Sequence, residues 1–180
     1  IDEQHKFGVN QRKKLSDKGG NNCDVLLMTA TPIPRTLTMS IYGDMDLSII
    51  RQKPKNRKPT KTYSKLESKI DDVVNFIKKE IRLGNQIFWV CPLIEVSKKI
   101  DHQSAVKKFD YLKKIFPNQV SLLHGKTSND DKEIILNDFL NKKFKILVST
   151  TIIEVGIDFP NANVIIIENA NKFGLSQLHQ

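Results

Sequence analysis

Short apolar runs rich in branched side chains recur at Val25–Met28, Ile87–Val90, Val120–Leu123, Ile146–Val148 and Val164–Ile167. Runs this short and this uniformly apolar are typical of strands covered on both faces, the condition of a parallel sheet. Between them the rhythm changes to 3.6 residues. Ile70, Val73, Val74, Ile77 and Ile81 fall on one helical face, and Val106, Phe109, Leu112 and Phe116 make a second stripe. Ser128-Asn-Asp-Asp131 has the chemistry of a helix N-cap ahead of the apolar positions in Ile134–Leu140. Strands alternating with helices predict an α/β fold, a parallel sheet flanked by helices.

One segment breaks the rhythm. Arg51–Lys61 holds six basic residues and two prolines and has no periodicity, which predicts a linker. Residues 1–50 then make up about one third of an α/β domain, and residues 62–180 most of a second. The basic cluster reads as a solvated connector; the alternative is a set of phosphate contacts at the seam between domains, weakening with salt. No internal repeat or low-complexity stretch interrupts either part.

Composition narrows the classes. At 180 residues and 39% hydrophobic, the chain can bury a real core. Cys23 and Cys91 have neither zinc-site spacing nor a disulfide framework, so a reduced, cytoplasmic protein is expected. No apolar stretch approaches the roughly 18 residues of a membrane span, and no signal-peptide layout opens the chain. Ile1 stands where a start methionine would, so the chain is expected to be internal to a longer protein. A formal charge of +9 favours a polyanionic partner, because lysine and arginine release counterions on meeting phosphates.

The candidate chemistry begins with Asp2-Glu3. Phosphoryl transfer to water needs a metal on the phosphates and a group that orients the water. Adjacent acids at a strand end can divide that work, Asp2 toward Mg²⁺ and Glu3 toward the water. The plain alternative is an acidic pair opening a helix. Val25–Met28, as the neighbouring strand, would deliver Thr29-Ala-Thr31 to the same sheet edge, where ligands gather in open α/β sheets. Thr31-Pro32 also suits a helix N-cap followed by proline, which leaves Thr29 for hydrogen bonding to the acids.

A second constellation runs from Val148 to Asp158. A strand is expected to end at Ser149, followed by Thr150, Thr151 and a turn carrying Gly156 and Asp158. Exposed hydroxyls and backbone N–H groups at such a turn suit a phosphate, and Asp158 suits a ribose hydroxyl or an arginine; a simple capped turn is the alternative. Gly125-Lys126-Thr127 mimics the end of a P-loop, but the required earlier glycine is Val120. His124-Gly125-Lys126 therefore reads as a loop touching a nucleic-acid phosphate. The histidines at 5, 102, 124 and 179 show no metal spacing.

Taken together, Asp2-Glu-Gln-His-Lys-Phe-Gly-Val9, Met28-Thr-Ala-Thr-Pro-Ile-Pro-Arg-Thr-Leu37, Phe88-Trp-Val-Cys-Pro-Leu-Ile-Glu95 and Phe173-Gly-Leu-Ser-Gln-Leu-His-Gln180 resemble the RecG family of superfamily-two DExH helicases. The resemblance runs along essentially the whole chain. It implies a RecA-like P-loop NTPase helicase core, the tail of one motor domain and most of the next. It also implies an ATP-driven, monomeric motor that remodels stalled forks and Holliday junctions in DNA repair and recombination, with Mg²⁺ and ATP as its ligands and DNA as its partner. No membrane is involved.

By that resemblance Asp2, Glu3 and His5 match the DExH box, and Thr29 and Thr31 the motif coupling hydrolysis to DNA movement. His124, Gly125, Lys126, Ser149, Thr150 and Thr151 fall where the second motor domain grips DNA. Gly156, Asp158 and Gln180 fall near the nucleotide. Lys6, Asn56, Asn169 and Asn171 depart mildly from the family pattern. The P-loop lysine and arginine fingers are not among these residues, so the isolated chain is expected to lack ATP hydrolysis. Two rivals remain: a transcription-repair coupling motor, which shares Thr-Ala-Thr-Pro-Ile-Pro-Arg-Thr, and a non-catalytic nucleic-acid-binding module.

Overall fold

The computed structural model describes residues 14, 18, 24–26, 28–29, 46, 48–52, 59–92, 98–150, 158–174 and 177–178, with backbone alone for 98–104. The chain divides into two compact units, and the one spanning Thr62–Leu178 carries the regular structure described below. Its elements run α1 (Ile70–Arg82), β1 (Gln86–Val90), α2 (Lys98–Ile115), β2 (Val120–Leu123), α3 (Asn129–Leu140), β3 (Ile146–Ser149) and β4 (Ala162–Ile167).

The strands form one sheet in the order β2-β3-β1-β4, and every pairing is parallel. β2 and β3 therefore lie on one side of β1 and β4 on the other, and all four end along the same edge. At that edge Val90 is in register with Ser149 and with Ile167, and Leu123 with Ser149. Helices cover both faces. Alternate residues Ile87, Trp89, Ile146 and Val148 point to one face, where they pack with Val74 and Ile77 of α1 and Ala105 and Leu112 of α2. Phe88, Leu123 and Leu147 point to the other, against Leu136 and Phe139 of α3. The period-2 alternation of a strand thus feeds two separate cores.

Local chemistry sets the helix limits. α1 ends at Arg82 with Leu83 as its C-cap, and Gly84 takes φ +86°, a conformation that only glycine adopts without strain. The Gly84 N–H then bonds Ile81 O and the Asn85 N–H bonds Glu80 O, which satisfies the last carbonyls of the helix. At the start of α3 the Ser128 hydroxyl accepts from the Asp131 N–H, as the sequence pattern predicts. Phe139 anchors the second core: its ring centroid lies 5.0 Å from Phe88, 5.3 Å from Phe144 and 5.5 Å from Phe159.

One expected strand is not seen. Residues 25, 26 and 28 have no regular structure, and Val25, Leu26 and Met28 are exposed. A buried parallel strand holds its shape only between neighbouring strands, and no described residue before Thr62 lies in one. Among the described residues no helix is long and apolar enough to cross a membrane.

Candidate functional site

The common strand edge collects the described candidates. Beyond the last paired residues, hydrogen bonds extend the ladder: Thr150 N–H to Leu123 O (3.3 Å), Cys91 N–H to Ser149 O (2.8 Å) and Glu168 N–H to Val90 O (2.9 Å). His124, Thr150, Cys91 and Glu168 therefore stand side by side where the strands end, the usual place for ligands in an open α/β sheet.

On the β2 side, residues 124–128 form a tight loop. The His124 N–H donates to Thr127 Oγ1 (3.1 Å), the Thr127 N–H to His124 O (2.9 Å), and the Lys126 N–H to His124 Nδ1 (3.2 Å). His124 Nδ1 is thus turned toward its own loop. Lys126 and Gly125 are exposed. An added Cβ at Gly125 would meet no atom within 4 Å, and its φ is not in the left-handed region. Neither packing nor backbone geometry demands glycine there. The P-loop mimicry fails structurally as well. The N-terminus of α3 is filled by Ser128, whose hydroxyl donates to Asp131 (2.7 Å), and Asp130 and Asp131 occupy the first turn. An anion on the helix axis would meet two carboxylates.

Ser149 and Thr150 require a correction. The expectation is of exposed hydroxyls, yet both residues are buried, at 0% and 3% exposure. The cause is topological: β3 is flanked by β2 and β1, and the chain leaving it is still hydrogen-bonded to Leu123. They form the floor behind the His124–Lys126 loop rather than its surface. Asp158 is exposed and lies elsewhere. It precedes Phe159, which packs on Phe88 and Phe139 and turns through the Ala162 N–H to Phe159 O bond into the first residue of β4. It is thus on the approach to a strand start, not at the edge where strands end. Thr29 is exposed. Asp2, Glu3, His5, Thr31, Thr151, Gly156 and Gln180 lie outside the described residues.

On the β4 side the structure reveals a cluster that the sequence patterns did not assign. Glu168 Oε1 pairs with Lys108 Nζ at 2.7 Å, both side chains being 19% exposed. Its other oxygen accepts from Trp89 Nε1 (3.3 Å) and Cys91 Sγ (3.5 Å). The Lys108 ammonium also sits 5.2 Å from the Trp89 ring centroid and 5.4 Å from that of Tyr111. Burial, and then the neighbouring Glu168 carboxylate, push the Cys91 thiol up from 9.0 to about 12. It stays protonated and so can donate. The available signal was an acid directly following an apolar strand, beside a neighbouring strand end holding Trp and Cys at alternate positions. Among the described residues no group of His, Cys, Asp and Glu is arranged to hold a metal ion.

A parallel sheet of this order with helices on both faces and candidate loops along one strand edge is an α/β, RecA-like arrangement. The chain belongs to the helicase conserved C-terminal domain family, which matches residues 68–180. It is similar throughout to proteins named ATP-dependent DNA helicase RecG. The Bacillus subtilis protein is 48% identical over 99% of this chain and 26% of its own length, that of Streptococcus pneumoniae 50% over 100% and 27%, and that of Thermotoga maritima 46% over 100% and 23%. A solved structure of RecG bound to a three-way DNA junction matches with a TM-score of 0.71 and 41% identity, covering 100% of this chain and 23% of that one. The chain thus spans about a quarter of the length of the relatives it matches.

Proposed function

We propose that this chain is part of an ATP-dependent DNA helicase that translocates on and remodels branched DNA, stalled forks and Holliday junctions, in repair and recombination. The observation that carries the reading is identity of 46–50% over the full chain to RecG helicases of several bacteria. The domain arrangement proposed with it is residues 1–50 as the end of a first motor domain, 51–61 as a basic linker and 62–180 as the second. The enzyme acts as a monomer in the cytoplasm.

In this reading the exposed Lys126, with the Gly125 backbone and His124, contacts a DNA phosphate, while Ser149 and Thr150 hold the floor of that loop and Thr151 continues it. Gly156, Asp158 and Gln180 serve the nucleotide side. Asp2 and Glu3 offer hard oxygen donors, the chemistry that suits Mg²⁺. Asp2 would hold the ion, which when bound neutralises phosphate charge. Glu3 orients the attacking water, His5 completes the box, and Thr29 and Thr31 relay the nucleotide state toward DNA.

The test is ATP hydrolysis by the full-length protein with and without a synthetic fork, wild type against Glu3→Gln. Fork-stimulated hydrolysis abolished by the substitution is the expected result. Hydrolysis that survives it removes Glu3 from the chemistry, and a wild-type protein indifferent to ATP and forks removes the helicase reading.

A further inference from the structure

Stability alone does not account for the Glu168 cluster. A carboxylate four-fifths out of water carries a desolvation cost that its Coulomb partner does little more than offset, and apolar residues often replace such pairs without loss. What the cluster does accomplish is geometric. Through one side chain it joins the chain leaving β4 to the chain leaving β1 and to α2: Trp89 and Cys91 bond one oxygen, Lys108 the other. The backbone repeats the tie, with the Glu168 N–H on Val90 O. Immediately beyond it Asn169 takes the left-handed conformation, φ 49°, and starts the turn Ala170–Lys172 that leads toward the end of the chain. Pro92 follows Cys91, and Pro92, Lys107, Tyr111 and Asn169 surround a recess of about 290 Å³ over the cluster.

We propose that Glu168 is a positioning residue that holds the segments after β1 and β4 as one rigid body, so that nucleotide and DNA engagement reach the sheet edge together. The proposal rests on the helicase reading given above, because the segment after β4 leads to the nucleotide-side Gln180. Three donors on one carboxylate, two on one oxygen and one on the other, leave it a single orientation. Removing its charge leaves Lys108 between two rings without its anion, and the two segments lose their shared anchor.

The experiment uses the full-length protein and measures fork-stimulated ATP hydrolysis, fork binding and thermal unfolding for Glu168→Gln. A fall in kcat of about tenfold or more is expected, with KM for ATP and fork affinity within about twofold of wild type. Lys108→Met should show the same split, and the double variant should be no worse than the poorer single, since both residues act through one contact. Trp89→Phe removes one donor while keeping a ring beside Lys108; it should show a smaller fall of the same kind and serves if Glu168→Gln does not fold. Wild-type kcat in folded Glu168→Gln and Trp89→Phe overturns the proposal, and so does a loss that appears only as lower thermal stability. If the wild-type protein shows no fork-stimulated hydrolysis, the helicase reading itself has failed and the positioning role falls with it.

Discussion

Replacing Gln86 by leucine, a change that conserves volume and adds apolar surface in a fully covered position, is expected to destabilise the Thr62–Leu178 unit. Gln86 is 1% exposed, and its Nε2 donates to Phe139 O at 2.7 Å and to Phe144 O at 3.0 Å. The first carbonyl belongs to the last turn of α3 and the second to the segment entering β3, so one amide pins both to the start of β1. Losing the two bonds removes about 1 kcal/mol each, and a carbonyl left dry adds about 1–3 kcal/mol. Against this, leucine gains about 1.5–3 kcal/mol of transfer energy. The balance is a loss of about 2 kcal/mol.

Urea unfolding followed by Trp89 emission gives a direct assay. Trp89 is the single tryptophan of the chain, is 1% exposed and lies on the same strand as Gln86. The midpoint should fall by about 1 M with an unchanged slope. Gln86→Glu should be worse at neutral pH, because a carboxylate there faces two carbonyl oxygens and donates nothing, and should recover on acidification as it regains a proton. Phe139 O keeps the Lys142 N–H at 2.9 Å, so the carbonyl left dry is that of Phe144; a Gln86→Leu protein as stable as wild type would refute the reasoning, showing that Phe144 O finds another partner at no cost.

Two further outcomes are expected. Gly125→Ala should raise stability by about 0.4–1 kcal/mol, since no left-handed φ or contact opposes the methyl group; it should weaken fork binding about tenfold by keeping a phosphate off the backbone, an energy of about 1.4 kcal/mol. Equal or tighter binding in a titration would remove Gly125 from the DNA contact. In a Cys23→Ser background, Cys91 should resist iodoacetamide at pH 8 until the protein unfolds. Because its folded value lies above that of the unfolded thiol, its contribution to stability is complete below pH 9 and is lost as pH rises toward about 12. Rapid labelling of folded protein at pH 8 would contradict the buried, protonated thiol.

The sheet was readable because buried parallel strands are apolar on both sides. Val120–Leu123 is a strand as predicted, Ile146–Val148 gains only Ser149, and the stripe from Ile70 to Ile81 lies within α1. Polar residues at strand ends carried no such signal. Gln86 and Ser149 each extend a run by one residue, and apolar patterning ends where they begin, although both are buried. Burial of Ser149 and Thr150 depends on strand order, which the crossovers decide and no local pattern records. The run at Val25–Met28 shows the converse: its described residues 25, 26 and 28 are apolar yet carry no strand structure, since a buried parallel strand also needs paired neighbours.

The same separation governs the candidate site. The strand edge has two flanks, because the chain steps from β1 out to β2, returns through β3 and then crosses to β4. The β2 flank holds an exposed loop in which neither φ nor packing requires glycine at 125, the feature on which its proposed contact role rests. The β4 flank holds a carboxylate whose partners all come from the protein itself, so its character is that of a joint. Between them Ser149 and Thr150 are buried and bonded to both sides: the Thr150 N–H reaches Leu123, and Ser149 O receives the Cys91 N–H. If the loop binds a phosphate as proposed, the backbone bonds from β2 to Thr150 and from Ser149 to Cys91 offer a close-packed route from that flank toward Glu168. Contact on one flank and a joint on the other, linked by a rigid centre, is the arrangement a motor domain requires if DNA bound at one loop is to alter the chain leaving β4.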